Sequence, residues 1–244
     1  MIAFKHEIKS VIKFNRNICT MIIDLNLKKK QVLIVGGGNE SARKVEALLS
    51  QQCKITVVAE KVDNNIKQYA DIGKIELEIR KIKNASFITK YKQITLILAT
   101  TNDRKLNREI VKFGKALRCY VYAADDPEIS DFSHPSVINI EDTIQVALST
   151  AGKSPLMGKI LREKVEPIIK DAFSILIVNQ FKIQTVFRVK ARQILSQVED
   201  RKKFLIELMN NDEVNHLLEK NLINEASITA SKLLDEFSFK VTKN

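Results

Sequence analysis

The residues Gln31–Val35 read Gln-Val-Leu-Ile-Val and run straight into Gly36-Gly37-Gly38. A short, apolar, β-branched run of this kind is a buried strand, and the glycines end it. The segment GGGNES then fits G-x-G-x-x-S. One glycine permits the tight turn, the next lets backbone approach a pyrophosphate, and the third position needs a small residue for helix–strand packing. Gly36 and Gly38 take the first two roles. Ser41 takes the third, where Gly or Ala is usual. A helix starting here directs its positive end at phosphates. Gly36, Gly37, Gly38, Asn39 and Glu40 are therefore the expected cofactor-binding residues, set against the plainer reading of a loop glycine cluster.

The first half of the chain repeats that strand-then-helix rhythm. Residues 41–50 put Ala42, Val45, Leu48 and Leu49 on one helical face. Lys54–Ala59 is a second strand, 61–72 a helix, 74–79 a third strand and 93–99 a fourth, buried on both faces. Residues 103–117 form a helix with Leu106, Ile110 and Phe113 as its apolar stripe, and 119–123 a fifth strand. Such alternation implies a parallel sheet with crossover helices. Beyond Asp125 the pattern changes. Ser136–Ile140 and 143–149, separated by Glu141-Asp142, read as a hairpin. Ser154-Pro155 reads as an N-cap followed by proline at the first helical position, with Leu156, Ile160, Leu161 and Val165 sharing a face. From Asp171 onward the chain is helix-compatible and lysine-rich.

Three further positions carry chemistry. Glu60, nineteen residues beyond Ser41, ends the second strand where a ribose-binding carboxylate is expected. It favours NAD over NADP by repelling a 2′-phosphate, although Lys61 stands beside it. Thr100 and Thr101 follow the fourth strand, at the switch point of an open α/β sheet, where ligands sit. They are placed to touch the nicotinamide half, while Thr101 or Asn102 also suits a helix cap. Asp125 and Asp126 end the fifth strand on the same sheet edge, where a carboxylate can act as general base or simply form a turn before Pro127.

Bulk properties exclude several classes. The formal net charge is +11 at pH 7, which draws anionic partners, but the cations are scattered and a solvated surface is the plain alternative. Aromatic content is 6% with no Trp, poor material for stacking single-stranded nucleic acid. Cys19, Cys53 and Cys119 are odd in number and widely spaced, so neither a disulfide framework nor a zinc knuckle is expected. Reduced thiols suit the cytoplasm. The three histidines are far apart, and no metal site is expected. No apolar run approaches the ~20 residues that span a bilayer. Residues 1–20 are either an extra helix or an overlong start upstream of Met21.

Taken in order, Gly36-Gly37-Gly38 with Arg43-Lys44, ATTND, Asp125-x-Pro127, Phe132-x-x-Pro135-Ser136, STAGKSP and LREK resemble the N-terminal region of siroheme synthases. That family comprises precorrin-2 dehydrogenases, some of them also sirohydrochlorin ferrochelatases. The resemblance runs from about Met21 to Glu166. It implies NAD-dependent oxidation of precorrin-2 to sirohydrochlorin, with Fe2+ as a further substrate where chelation also occurs. It also implies a homodimer built through the middle segment, and a role for Asp125 in the chemistry. The family's usual Asn three residues before that Asp is Tyr122 here. Its Ser-Gly-Gly is Thr150-Ala151-Gly152. A polycarboxylate substrate suits a basic chain, with Thr150, Lys153, Ser154 and Arg162 as candidate substrate-binding residues.

The expected fold class is α/β: an N-terminal Rossmann-type parallel sheet, a small α+β dimerisation segment and a C-terminal helical domain. The expected boundaries are an extension at 1–20, the NAD-binding domain at 21–134, the dimerisation segment at 135–172 and the helical domain at 173–244. Two rival functions stand beside this reading: a non-catalytic NAD-sensing module, which the glycines and Glu60 would serve equally, and a basic nucleic-acid-binding protein acting through the helical tail.

Overall fold

The computed structural model describes residues 21–242. The extension expected at 1–20, with His6 and Cys19, lies outside them. The chain divides into two compact units. One comprises residues up to His134 together with Ala151–Lys153, the other Pro135–Thr150 together with the chain from Ser154 onward.

The first unit holds a five-stranded parallel sheet in the order β3-β2-β1-β4-β5. Its strands are β1 (Gln31–Val35), β2 (Lys54–Ala59), β3 (Glu76–Ile79), β4 (Ile94–Ala99) and β5 (Tyr120–Ala123). The chain reverses direction across the sheet between β1 and β4, whose ends pair Val35 with Ala99. Both faces are covered. On one, Val32, Ile34, Val57 and Leu98 pack with Ala42, Val45 and Leu48 of helix α1 (Asn39–Leu49) and Ile66 of α2 (Asn64–Asp71). On the other, Leu33, Val35, Ile97 and Val121 pack with Ile110 and Val111 of α3 (Arg104–Ala116), and with Phe87 and Ile88 of a 3-10 turn at Ala85–Lys90. Strand residues alternate between these two cores, as period-2 geometry requires.

Two helix starts differ from the sequence reading, both because an aspartate outcompetes its neighbours. Helix α2 begins at Asn64 rather than at residue 61: Asp63 accepts from Asn65 N at 2.8 Å, and the residues before it form a loop. Helix α3 is capped by Asp103, not by Thr101 or Asn102, and its carboxylate accepts from Lys105 N and Leu106 N at 2.9 and 3.1 Å. A carboxylate at the N-cap also meets the positive end of the helix dipole.

The second unit opens with the antiparallel pair β6 (Ser136–Ile140) and β7 (Ile144–Leu148). Glu141 and Asp142 both have φ 48°, the backbone of a type I′ turn, whose twist matches the strands it joins. Helix α4 (Pro155–Ala172) starts as expected, with Ser154 Oγ accepting from Met157 N at 3.3 Å. Its expected apolar face is only half realised. Leu156 and Leu161 are 68% and 42% exposed, because the helix buries its second half instead: Val165 and Ile169 pack with Ile138, Ile140 and Val178. Helices α5 (Ile175–Ile194), α6 (Val198–Met209), α7 (Asp212–Glu219) and α8 (Ile223–Thr242) follow. They enclose a core in which Phe204 meets Phe187 and Phe237 at ring-centroid distances of 6.3 and 5.8 Å.

Gly114 sets how closely α3 lies on the sheet. A Cβ there would stand 2.5 Å from Val121 Cγ1 and 3.0 Å from Ile97 Cδ1. A γ-methyl on a strand cannot swing aside. Gly114→Ala is therefore expected to destabilise the chain by about 1–2 kcal/mol, overpacking outweighing the helix-propensity gain. Urea denaturation measures the difference, and a variant more stable than the parent would contradict this packing.

Candidate active site

The glycine turn is shaped by what surrounds each residue. Gly36 has φ +129°, and a Cβ on it would lie 2.6 Å from Thr100 O. Gly37 lies against the loop that follows β2, where a Cβ would meet Lys61 O at 2.0 Å. Asp63 N closes that contact by donating to Gly37 O at 2.7 Å. Gly38 is different. Its backbone is extended, and a Cβ on it would meet nothing within 4 Å. The first two glycines thus build the turn, and the third leaves open space in front of it. Gly38 is also the N-cap of α1, and no side chain caps that helix. The first-turn N–H groups, those of Asn39 and Glu40 among them, stay available to an anion. This cradle fits a dinucleotide pyrophosphate.

Ser41 and Thr100 prove to be one feature. Both are buried, their hydroxyls are 2.8 Å apart, and Thr100 Oγ1 donates to Val35 O at 3.0 Å. Ser41 therefore does more than save space: it ties α1 to the end of β4. The Thr100 hydroxyl, expected to face the nicotinamide, is turned into the protein. Glu40 is likewise committed, pairing with Arg43 at 3.1 Å and Lys44 at 3.3 Å. A bare carboxylate would repel a phosphate here, and two cations more than offset it. Lys44 is largely buried beneath the Tyr122 ring, 4.7 Å from its centroid. Burial holds its ammonium below the usual lysine pKa, against the raising effect of Glu40. Tyr122, which replaces the family's usual Asn, is thus a ring for a cation. It also packs with Phe132 and His134 at 5.7 and 4.7 Å. Glu60 is exposed just beyond β2.

Asp125 lies just beyond β5, at the same carboxyl edge of the sheet as the cradle. Its Oδ1 accepts from Asn107 Nδ2 at 2.7 Å, and its Oδ2 lies 3.8 Å from Arg104 Nε. Its side chain is 22% exposed and that of Arg104 80%. Asp126 pairs separately with Arg108 at 3.2 Å. The sequence reading missed Asn107, which is fully buried. The signal was there: Asn107 shares with Ile110, Val111 and Gly114 the i, i+3, i+4, i+7 face of α3 that is buried. A polar residue on an apolar stripe needs partners.

The candidate substrate residues are placed less uniformly. The Thr150 hydroxyl and Ser154 close a turn, with Ser154 N donating to Thr150 Oγ1 at 3.3 Å. Ala151 takes φ 54° and Gly152 φ 74°, so an alanine as well as a glycine occupies the left-handed region in this turn. Lys153 is exposed. Arg162 donates to Glu166 Oε2 at 3.1 Å and is 37% exposed. Among the described residues, no three His, Cys, Asp or Glu side chains are gathered to hold a metal, and no helix is long and apolar enough to cross a membrane.

Sheet order, glycine cradle and uncapped helix define a Rossmann-type NAD(P)-binding domain, and residues 23–136 match the family described as "Putative NAD(P)-binding". The siroheme synthase of Nitrosococcus oceani is 34% identical over 171 residues, 70% of this chain and 35% of that protein. That of Pseudoalteromonas atlantica is 31% identical over 215 residues, 88% of this chain and 45% of that protein. The chain thus spans well under two thirds of these relatives' length. A solved structure, SirC, precorrin-2 dehydrogenase, superposes with a TM-score of 0.63 at 21% identity, covering 87% of this chain and all of that one. The fold is therefore shared with SirC. The chain is thus a relative of the siroheme synthases, of which it spans a part.

The open space at Gly38 gives a clean test of the cradle. Gly38→Ala is expected to leave the melting temperature within about 2 °C, since nothing in the fold meets the added methyl. It should weaken NAD(P) binding at least about tenfold, or about 1.4 kcal/mol, as read by calorimetric titration. Unchanged affinity would place the cofactor elsewhere.

Proposed function

We propose that this chain oxidises precorrin-2 to sirohydrochlorin, with NAD as the electron acceptor. The observation that carries the reading is Asp125. It is a partly exposed carboxylate, held by a buried amide, on the same sheet edge as an uncapped pyrophosphate cradle. When bound, the nicotinamide supplies the hydride acceptor. The residues of the chain do the rest. Gly36, Gly37 and Gly38 admit the pyrophosphate, and the first turn of α1 holds its charge. Thr101 lines the nicotinamide side through the loop after β4, and Thr100 fixes that loop from behind. Asp125 takes the proton that leaves the macrocycle as the hydride departs, so the two-electron step balances.

Preference for NAD rests on Glu60. Its exposed carboxylate at the end of β2 suits a ribose 2′-hydroxyl and opposes a 2′-phosphate. Lys153, on the turn shaped by Thr150 and Ser154, is a proposed anchor for a substrate carboxylate, and Arg162 on α4 is a separate candidate for the same chemistry. The homodimer is supported by the apolar side chains α4 leaves exposed, Leu156, Met157, Leu161 and Ile168 among them. Sedimentation is expected to give twice the 27.8 kDa chain mass. A monomer at micromolar concentration would remove the dimer from this account.

The function is tested by incubating the chain with precorrin-2 and either NAD or NADP and following sirohydrochlorin absorbance, with a parallel arm containing Fe2+ to separate dehydrogenation from chelation. Turnover with NAD is expected to exceed that with NADP. Asp125→Ala is expected to lower kcat by about a hundredfold or more, the scale of a lost general base, with NAD affinity nearly unchanged. Cofactor binding without turnover by the unaltered chain would favour a sensing module instead.

A further inference from the structure

We infer that Asn107 is a positioning residue that fixes the Asp125 carboxylate and the Thr101 loop in a single register. The inference rests on the reading of Asp125 as the proton acceptor. All of the polar capacity of the Asn107 amide is spent at one locus. Its Nδ2 donates to Asp125 Oδ1 at 2.7 Å and to Thr101 O at 3.0 Å. Its Oδ1 accepts from Thr101 Oγ1 at 2.7 Å and from Thr101 N at 3.2 Å. The side chain is fully buried on the core face of α3, so its packing allows it one orientation, and α3 is itself anchored to the sheet at Gly114.

A purely structural asparagine would satisfy itself on backbone groups. Here a short contact goes to an acidic side chain that is 22% exposed and has water as an alternative partner. An aspartate at a loop edge samples several rotamers. Binding one oxygen to a rigid amide selects one and leaves Oδ2, paired at 3.8 Å with the exposed Arg104, as the oxygen proposed to meet the substrate. The same amide bonds the backbone N–H, the carbonyl and the hydroxyl of Thr101. The loop proposed to line the nicotinamide and the carboxylate proposed to take the proton therefore cannot drift apart independently. Small misplacements of reacting groups cost large factors in rate, and charge-assisted hydrogen bonds from a supporting side chain are a general way to prevent them.

The test is a double-mutant cycle read in single-turnover kinetics, with the enzyme in excess so that slow variants remain measurable. Asn107→Ala removes all four contacts. Asn107→Asp keeps the size and the acceptor side toward Thr101 but replaces the amide N–H groups that donate to Asp125 and to Thr101 O with a carboxyl oxygen, and it serves if the alanine variant does not fold. Each is expected to lower the rate of sirohydrochlorin formation about 10- to 100-fold. Asn107→Asp should leave the KM for NAD within about threefold, since a group acting only on the chemical step changes kcat. In an Asp125→Ala background, adding Asn107→Ala should cost less than about a further twofold, because the residues act as one unit. Equal losses in both backgrounds, or a loss confined to KM for NAD, would overturn the positioning role while leaving the dehydrogenase reading intact. No turnover by the unaltered chain would overturn that reading and this inference with it.

Discussion

The close approach of β4 to the end of β1 governs the rest of the first unit. Gly36 lacks a Cβ, and only for that reason can the Thr100 carbonyl lie where a side chain would otherwise stand. The Thr100 hydroxyl then bridges Val35 O and Ser41 Oγ, joining two strands and the first helix at one buried point. Each such hydrogen bond contributes about 1 kcal/mol net, but leaving any one of these groups unpaired and buried costs more. Substitution at any of the three positions would therefore disturb the other two. The direction of α1, and with it the direction of its open N–H groups, depends on this junction.

Across the same edge of the sheet, a second polar centre does for the Asp125 carboxylate what the first does for the glycine turn. Asn107 reaches from α3 to the loop after β4 and to the carboxylate beyond β5. The two centres share the stretch Thr100-Thr101: one residue is bound inward to the glycine turn, the next to Asn107. Peptide geometry thus fixes the distance between the pyrophosphate cradle and the proposed proton acceptor, without any long flexible side chain between them. The basic residues around them, Arg43, Lys44, Arg104 and Arg108, are each partly neutralised by a nearby carboxylate. Four cations thus face three carboxylates, a balance that still favours an anionic ligand.

Much of this was legible in the sequence, and the failures have physical causes. The parallel sheet could be read because its central strands are buried on both faces and therefore almost wholly apolar, as Gln31–Val35 and Ile94–Ala99 show. The glycine turn could be read because only glycine tolerates the approaches seen at Gly36 and Gly37. Helix starts were misjudged where several cap-forming residues stood in a row, as in Thr101-Asn102-Asp103, since propensity cannot say which will be held by the rest of the fold. The stripe of α4 was misjudged because periodicity reports which residues could be buried, not which half of a helix finds something to pack against. Asn107 was missed for the opposite reason. Its meaning lies in partners separated from it by 6 and 18 residues, a proximity that only the closed sheet creates. The commitment of the Thr100 hydroxyl was hidden in the same way, its partners lying 59 and 65 residues away.

The account turns on a pyrophosphate held at Gly36-Gly37-Gly38 with the reactive end of the cofactor directed toward Asp125. A crystal structure of the chain with bound NAD tests this most directly. The account predicts phosphate oxygens accepting from first-turn N–H groups of α1, the adenosine ribose at Glu60, and the nicotinamide ring between the Thr101 loop and Asp125. A cofactor bound away from the glycine turn, or bound there with its nicotinamide directed away from Asp125, would contradict it.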